Sequence, residues 1–193
     1  REAPGVTLRC VRAESLFEAP EAELADGRLD LALGFFGAAP APQRGLLSEL
    51  LWRERNVCVS AADHPRLKRR ALSEREFLEE RHVAVFYRKG GPGLMDGVLA
   101  GRGRARRVAV YTPHFATVFS LAAGSELVAA APERLARRWA KALPLRIRRL
   151  PVPFPEFEFS MVWARRRQGD EALAWLRDRI LETARAQANG RRG

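Results

Sequence analysis

The order of apolar runs in this chain predicts an α/β fold with mostly parallel sheets. Short strand-like runs alternate with stretches of helical period along almost the whole chain. Runs such as LDLAL at 29–33 are nearly continuous in apolar character, as strands covered on both faces are. Helix start and stop signals fall between the runs.

The elements follow in order. VTLRCV at 6–11 alternates and predicts a strand. Residues 20–25 predict a short helix, with Pro20 suited to a first turn and Gly27 to the stop. Residues 29–33 are a strand that Gly34 ends. The apolar run at 46–51 leads into a strand at 56–60, and ADHPR at 61–66 is a turn, because a residue before proline is pushed out of the helical region. LSEREFLEE at 72–80 is helical, and Ser73 with Glu76 three residues on makes a capping box. A strand at 82–87, a KGGPG loop at 89–93, and a helix at 94–100 stopped by Gly101 come next. Strands at 108–111 and 127–131 alternate with helices at 113–123 and 132–143. LRIRRL at 145–150 alternates, and PVPFP at 151–155 is extended. Phe157, Phe159, Met161 and Trp163 share one face of a strand. A last helix starts near Asp170, with Leu173, Leu176 and Ile180 as its apolar stripe.

Length and composition narrow the function classes. With 193 residues the chain makes one domain or two small lobes, and no segment has the length or apolarity of a membrane helix. The start, REAPGVTLRC, lacks the apolar core of a signal peptide. Cys10 and Cys58 both lie in apolar alternating stretches, which predicts small buried residues in a reducing cytoplasm; a disulfide needs their strands to be neighbours. The net charge is +11. A basic balance invites a nucleic-acid reading, but the arginines are spread over the whole chain, which favours a solvated surface over a clustered footprint. GRGRARR at 101–107 reads more simply as a polar loop feeding a strand. There is no G-x-S-x-G elbow, Walker loop or G-x-G-x-x-G, and no acid–base pair or nucleophile stands out. His64, His82 and His114 have no metal-like spacing with either cysteine. Neither an enzyme, a metal nor a cofactor is expected.

Ligands in open α/β sheets sit beyond the C-terminal ends of strands, and two such ends stand out. At YTPHFATV (111–118), Thr112 suits an N-cap and Pro113 a first helical residue. The helix start offers unpaired N–H groups to a carboxylate, with His114 and Phe115 close by. The competing reading is an ordinary capped helix with Phe115 in the core. At the other end, Gly34 allows close approach of a ligand, and Phe35 and Phe36 either line an apolar pocket or pack in the core. Asp30, at the strand's start, is expected to cap or salt-bridge. KGGPG reads as a turn rather than a phosphate cradle.

LADGRLDLALG, LLSELLWRERNVCVSAADHPR, FATVFSLAAGSELVAAAPERLA, and LPVPFPEFEFSMVWARR with DEALAWLRDRI, in that order and over nearly the whole chain, resemble the effector-binding domain of LysR-type transcriptional regulators. The tail looks like the branch that includes nodulation and aromatic-degradation regulators, though the usual tryptophan-histidine pair is here Trp163-Ala164. The resemblance implies a two-lobed, type 2 periplasmic-binding-protein-like fold, each lobe a mostly parallel sheet flanked by helices. It puts residues 1–58 and 159–193 in one lobe and 59–158 in the other, with crossing strands at 56–60 and 157–163. The implied effector contacts are Gly34, Phe35, Phe36, Ser60, Thr112, Pro113, His114 and Phe115.

The family's winged helix-turn-helix and the domain's opening strand and helix are expected to lie outside these residues. The function implied is a cytoplasmic sensor of a small aromatic or carboxylate effector, acting as a homodimer or tetramer and reaching promoter DNA only through that winged helix-turn-helix. No contact with a membrane is expected. The rival is a stand-alone solute-binding protein of a transport system.

Overall fold

The computed structural model describes residues 3–12, 17–36, 45–86 and 93–189, the side chains of 187–189 excepted. Tyr87 and most of the KGGPG loop lie outside the described residues. The chain runs α1 (Glu21–Asp26), β1 (Ala32–Gly34), β2 (Leu46–Glu54), β3 (Asn56–Ala61), α2 (Glu74–Glu79), β4 (Arg81–Val85), α3 (Leu94–Ala100), β5 (Arg107–Thr112), α4 (Phe115–Ala123), β6 (Ala129–Pro132), α5 (Glu133–Trp139), β7 (Leu145–Arg149), β8 (Phe157–Ala164) and α6 (Glu171–Asn189).

Local chemistry sets many of these boundaries. Pro20 holds the N-cap of α1, and Gly27 ends it at φ 83°, a left-handed conformation that a side chain strains. Ser73 and Glu76 form the complete capping box of α2. Asp170 accepts from the Leu173 amide at 2.9 Å and so starts α6. Asp30 pairs with Arg167, an ion pair rather than a ligand contact.

Two sheets result. The first has the order β1-β8-β2, and β8 runs antiparallel to both neighbours. In the second, β3 lies between β6 and β7 and is antiparallel to each. A parallel bridge from His82 to Val128 links this set to the parallel pair β4 and β5, giving the order β7-β3-β6-β4-β5. In each sheet one strand therefore runs against all the others. The mostly parallel expectation holds for strand direction but not for pairing: because β3 and β8 are inserted between parallel strands, most ladders are antiparallel. The chain crosses between sheets at Arg55 and again through 150–156, while the expected divisions at 58/59 and 158/159 fall inside β3 and β8.

The strand expected at 6–11 does not form. Val6, Leu8 and Val11 are exposed and the segment pairs with no described strand. Alternation supplies a propensity, but an extended segment needs a neighbour's N–H and C=O groups to become a strand. Cys10 is likewise exposed rather than buried, and both cysteines are free.

The second sheet is covered on both faces. Val57, Val59 and Val83 pack under Phe119 and Ala136 of α4 and α5, while Cys58 and Val128 on the opposite face pack with Phe77, Met95 and Leu99 of α2 and α3. The first sheet is thinner. Leu24 of α1 packs on Ala32, Leu46 and Val162, and Leu173 of α6 packs on Met161 and Trp163. Beside α6 an open apolar groove of about 700 Å³ remains, lined by Val6, Leu8, Leu33, Trp52, Phe159 and Ile180 among others.

Candidate functional site

The direction of β3 decides where a cleft forms. β4, β5 and β6 deliver their C-terminal ends, Val85, Thr112 and Pro132, to one edge of the second sheet. β3 runs the other way, so its first residue, Asn56, joins that edge opposite Pro132. The first sheet meets it there, and between them lies a small cavity of about 60 Å³. Phe17, Phe35 and Phe157 line it from the first sheet's side, and Asn56, Ala84, Val85, Met95, Arg106, Phe115 and Pro132 from the second, with Phe154 from the connecting segment.

Aromatic rings fill much of this space. Phe35 lies 4.9 Å from Phe159, 5.9 Å from Phe157 and 6.0 Å from Phe17, centroid to centroid. Phe154 meets Phe157 at 5.4 Å. Such edge and offset contacts are worth roughly 0.5–1.5 kcal/mol each beyond area burial. The cavity is smaller than the roughly 150 Å³ that holds a benzene-sized guest. An aromatic ligand therefore needs these rings to rotate or the two sheets to part.

The expected contacts divide. Phe35 and Phe115 line the cavity, and Gly34 sits on the β1 end that positions Phe35. Phe36 packs instead with Leu24, Ala32, Leu46 and Val162 in the first sheet's core. Ser60 is fully buried, and its hydroxyl accepts a hydrogen bond from Arg148 Nη1 at 2.9 Å while donating to the Ala61 carbonyl at 3.0 Å. The C-terminal end of β3, where Ser60 stands, does not line this cavity, because the strand is reversed. Asn56 is the residue that takes its place at the cavity.

Thr112 does not cap α4. It is buried and extends β5 by pairing with Val85, since a residue before proline favours extended backbone. His114 is the N-cap, at φ −129° and ψ 132°, with no side-chain cap, and Pro113 precedes the helix instead of starting it. The His114 side chain is exposed. The first-turn amides of α4 thus have no side-chain cap at the helix's cleft end.

A polar junction joins the sheets at the first crossing. Buried Glu54, at the end of β2, accepts from Trp52 Nε1 at 3.2 Å and from the Arg134 amide of α5 at 3.4 Å. Burial raises its pKa against these hydrogen bonds. The Arg134 guanidinium lies 4.7 Å from the centroid of Trp52, whose ring in turn stacks on Phe159 at 4.4 Å. Arg55 and Arg137 both bind the buried Glu133 carboxylate, which their hydrogen bonds hold down at about 2. Only the pile-up of charges in WRER and PERLARR marked these residues in the sequence.

Comparison with known proteins decides the family. The model of the LysR substrate binding domain matches residues 1–185. The chain belongs to the LysR substrate-binding domain family. Among relatives of this LysR domain, the HTH-type transcriptional activator NagR of Ralstonia sp is 31% identical over 160 residues, covering 83% of this chain and 52% of NagR. Nodulation protein D 1 of Sinorhizobium fredii is 33% identical over 187 residues, covering 95% and 55%. The chain spans about half the length of the curated relatives it matches. A solved structure described as a probable transcriptional regulator from Pseudomonas aeruginosa superposes with a TM-score of 0.79 at 31% identity, covering 92% of this chain and 57% of that one. The effector-binding domain of QuiR, solved with shikimate, shares the fold at a TM-score of 0.63 and 14% identity, covering 86% of this chain and 77% of that one.

Proposed function

We propose that this LysR domain is the ligand-sensing part of a bacterial transcriptional regulator and that a small effector with an aromatic or otherwise flat apolar body binds between its two lobes. The supporting observation is the ring-lined cavity where the ends of β3, β4 and β6 face Phe35 and Phe157. A cavity too small for such a guest in this arrangement suits a sensor, because binding then favours an arrangement that the empty domain populates less. The effector contacts we infer are Phe35, Asn56, Arg106 and Phe115, framed by Gly34, Thr112, Pro113 and His114. The lobes are best divided at Arg55 and within 150–156, since the whole of β3 hydrogen-bonds inside the second sheet.

The relatives named as transcriptional activators support this role over a transporter's solute-binding protein. On this reading the domain does no chemistry. It forms a homodimer or tetramer in the cytoplasm and acts on promoter DNA through a winged helix-turn-helix elsewhere in the polypeptide. No described helix is long and apolar enough to cross a membrane.

The test is a thermal-shift screen of the intact chain against small aromatic acids, phenols and amides. A binder at a hundredfold excess over Kd adds about 2.7 kcal/mol of stability. Phe35→Ala and Asn56→Ala are expected to abolish the shift of any hit. A hit whose shift survives both substitutions places its site outside the cleft and contradicts the reading.

A further inference from the structure

Arg106 is the charged side chain among the described residues that line the cleft cavity. Its side chain is 3% exposed, and it is held by Asp96, from the first turn of α3, through Nε at 2.7 Å and Nη2 at 3.2 Å. A guanidinium carries five N–H donors. Two are used on Asp96, and the others have no hydrogen-bond partner among the described residues. Here they border a cavity walled by Phe35, Phe115, Phe154 and Phe157.

Resting on the ligand-sensing reading above, we propose that Arg106 is the polar anchor of the cleft, donating to an acceptor oxygen on an aromatic ligand, and that Asp96 sets how much negative charge that oxygen carries. Asp96 fixes the guanidinium plane and keeps its free edge in place. It also neutralises the cation, so a carboxylate arriving at that edge meets the Asp96 charge at short range in a poorly solvated site. An uncharged carbonyl or phenol oxygen takes the same N–H donors without that repulsion. The carboxylate of Asp96 thus acts as a charge filter built into the site. The sequence separated the two residues by a loop and gave no sign of their pairing.

The experiment is equilibrium dialysis of the intact chain with benzoate and benzamide, probes of nearly one shape that differ in charge. It is run on the natural sequence, D96N, R106Q and the double variant D96N/R106Q. In D96N the affinity for benzoate relative to benzamide is expected to rise by about tenfold or more. In R106Q binding of both probes is expected to weaken, and in the double variant the benzoate advantage is expected to vanish. The double variant, which leaves no lone buried charge, keeps the test decisive should a single change impair folding.

An unchanged benzoate-to-benzamide ratio in D96N overturns Asp96 as the filter. Unaltered binding of both probes in R106Q and in the double variant overturns Arg106 as the anchor. Absence of binding by either probe in every variant also overturns the anchor, whereas the ligand-sensing reading itself falls only on the thermal-shift result above.

Discussion

The two sheets of this LysR domain are stabilised in different ways. The second is buried on both faces, by α4 and α5 on one side and by α2 and α3 on the other. Its polar residues are also tied inward. Arg148 donates to the Ser60 hydroxyl, to the Arg69 carbonyl at 2.9 Å and to the Leu67 carbonyl, which pins 67–69 onto β3 and β7. Burial raises the Cys58 thiol beside it to about 12, so that cysteine is an inert filler rather than a nucleophile. The first sheet has fewer strands and fewer covering helices, α1 and α6, with an apolar groove open beside α6. The contrast teaches that one lobe is a self-sufficient platform carrying most of the cleft, while the other contributes its aromatic wall through a thinner body. On the proposed function, a ligand in the cleft would touch both through Phe35 and Phe157 on one side and Asn56 and Phe115 on the other.

Substitutions can break this contrast. The largest expected effect is in the second sheet's core, where Phe119 is fully buried between Phe115 and Trp139. Phe119→Ala is expected to cost about 3–5 kcal/mol in chemical denaturation. Arg148→Met should cost about 1–3 kcal/mol, because it strips hydrogen bonds from buried carbonyls and from Ser60. Leu33→Ser, in the groove of the first sheet, is expected to change stability by about 0.5 kcal/mol or less, since Leu33 is 41% exposed. A cost for Leu33→Ser equal to that of Phe119→Ala would mean that the groove is covered in the protein in solution.

Between these in size lies an acid response of the second lobe. Its source is His82, fully buried, with Nε2 on the Phe77 carbonyl at 2.8 Å. Burial, with Arg106 adding to it, lowers its pKa from 6.5 to about 4. The unfolded chain takes up the proton near its ordinary value and the folded lobe does not. Stability is therefore full above about pH 6.5 and falls as pH drops from 6.5 towards 4. Glu133 adds a further loss lower down, as pH falls from about 4.5 towards 2 and its pairs with Arg55 and Arg137 are protonated away. His82→Gln is expected to flatten denaturation midpoints between pH 6.5 and 4 and to leave the lower segment unchanged.

What could be read in the sequence was local. Pro20 and Gly27, Ser73 and Glu76, Asp170, and the stripe Leu173-Leu176-Ile180 act within a turn or two of their own position, and each sits as its chemistry dictates. Strand direction and strand partners are not local. Residues 6–11 have a strand's alternation without a neighbour, and Ser60 was chosen by a rule that assumes a strand pointing the same way as the rest. The Glu54 junction joins elements far apart in the chain, and Arg106 reaches Asp96 ten residues back across the loop that follows α3, so neither pairing follows from helix or strand period. Thr112 is the instructive intermediate case. A good N-cap residue before proline was outbid by pairing with β4, and the helix began later.

The most direct test of the central claim measures the distance between lobes. With Cys10 replaced by serine, single cysteines at exposed Arg28 and Arg104 are spin-labelled, one on each lobe, and the distance distribution is recorded with and without a ligand found in the screen. If a ligand closes the cleft, the distribution narrows and shifts on binding, and the change is lost in Phe35→Ala. A ligand that binds tightly and leaves the distribution unchanged would contradict it, because the cleft would then hold an effector without moving the lobes that must carry the signal.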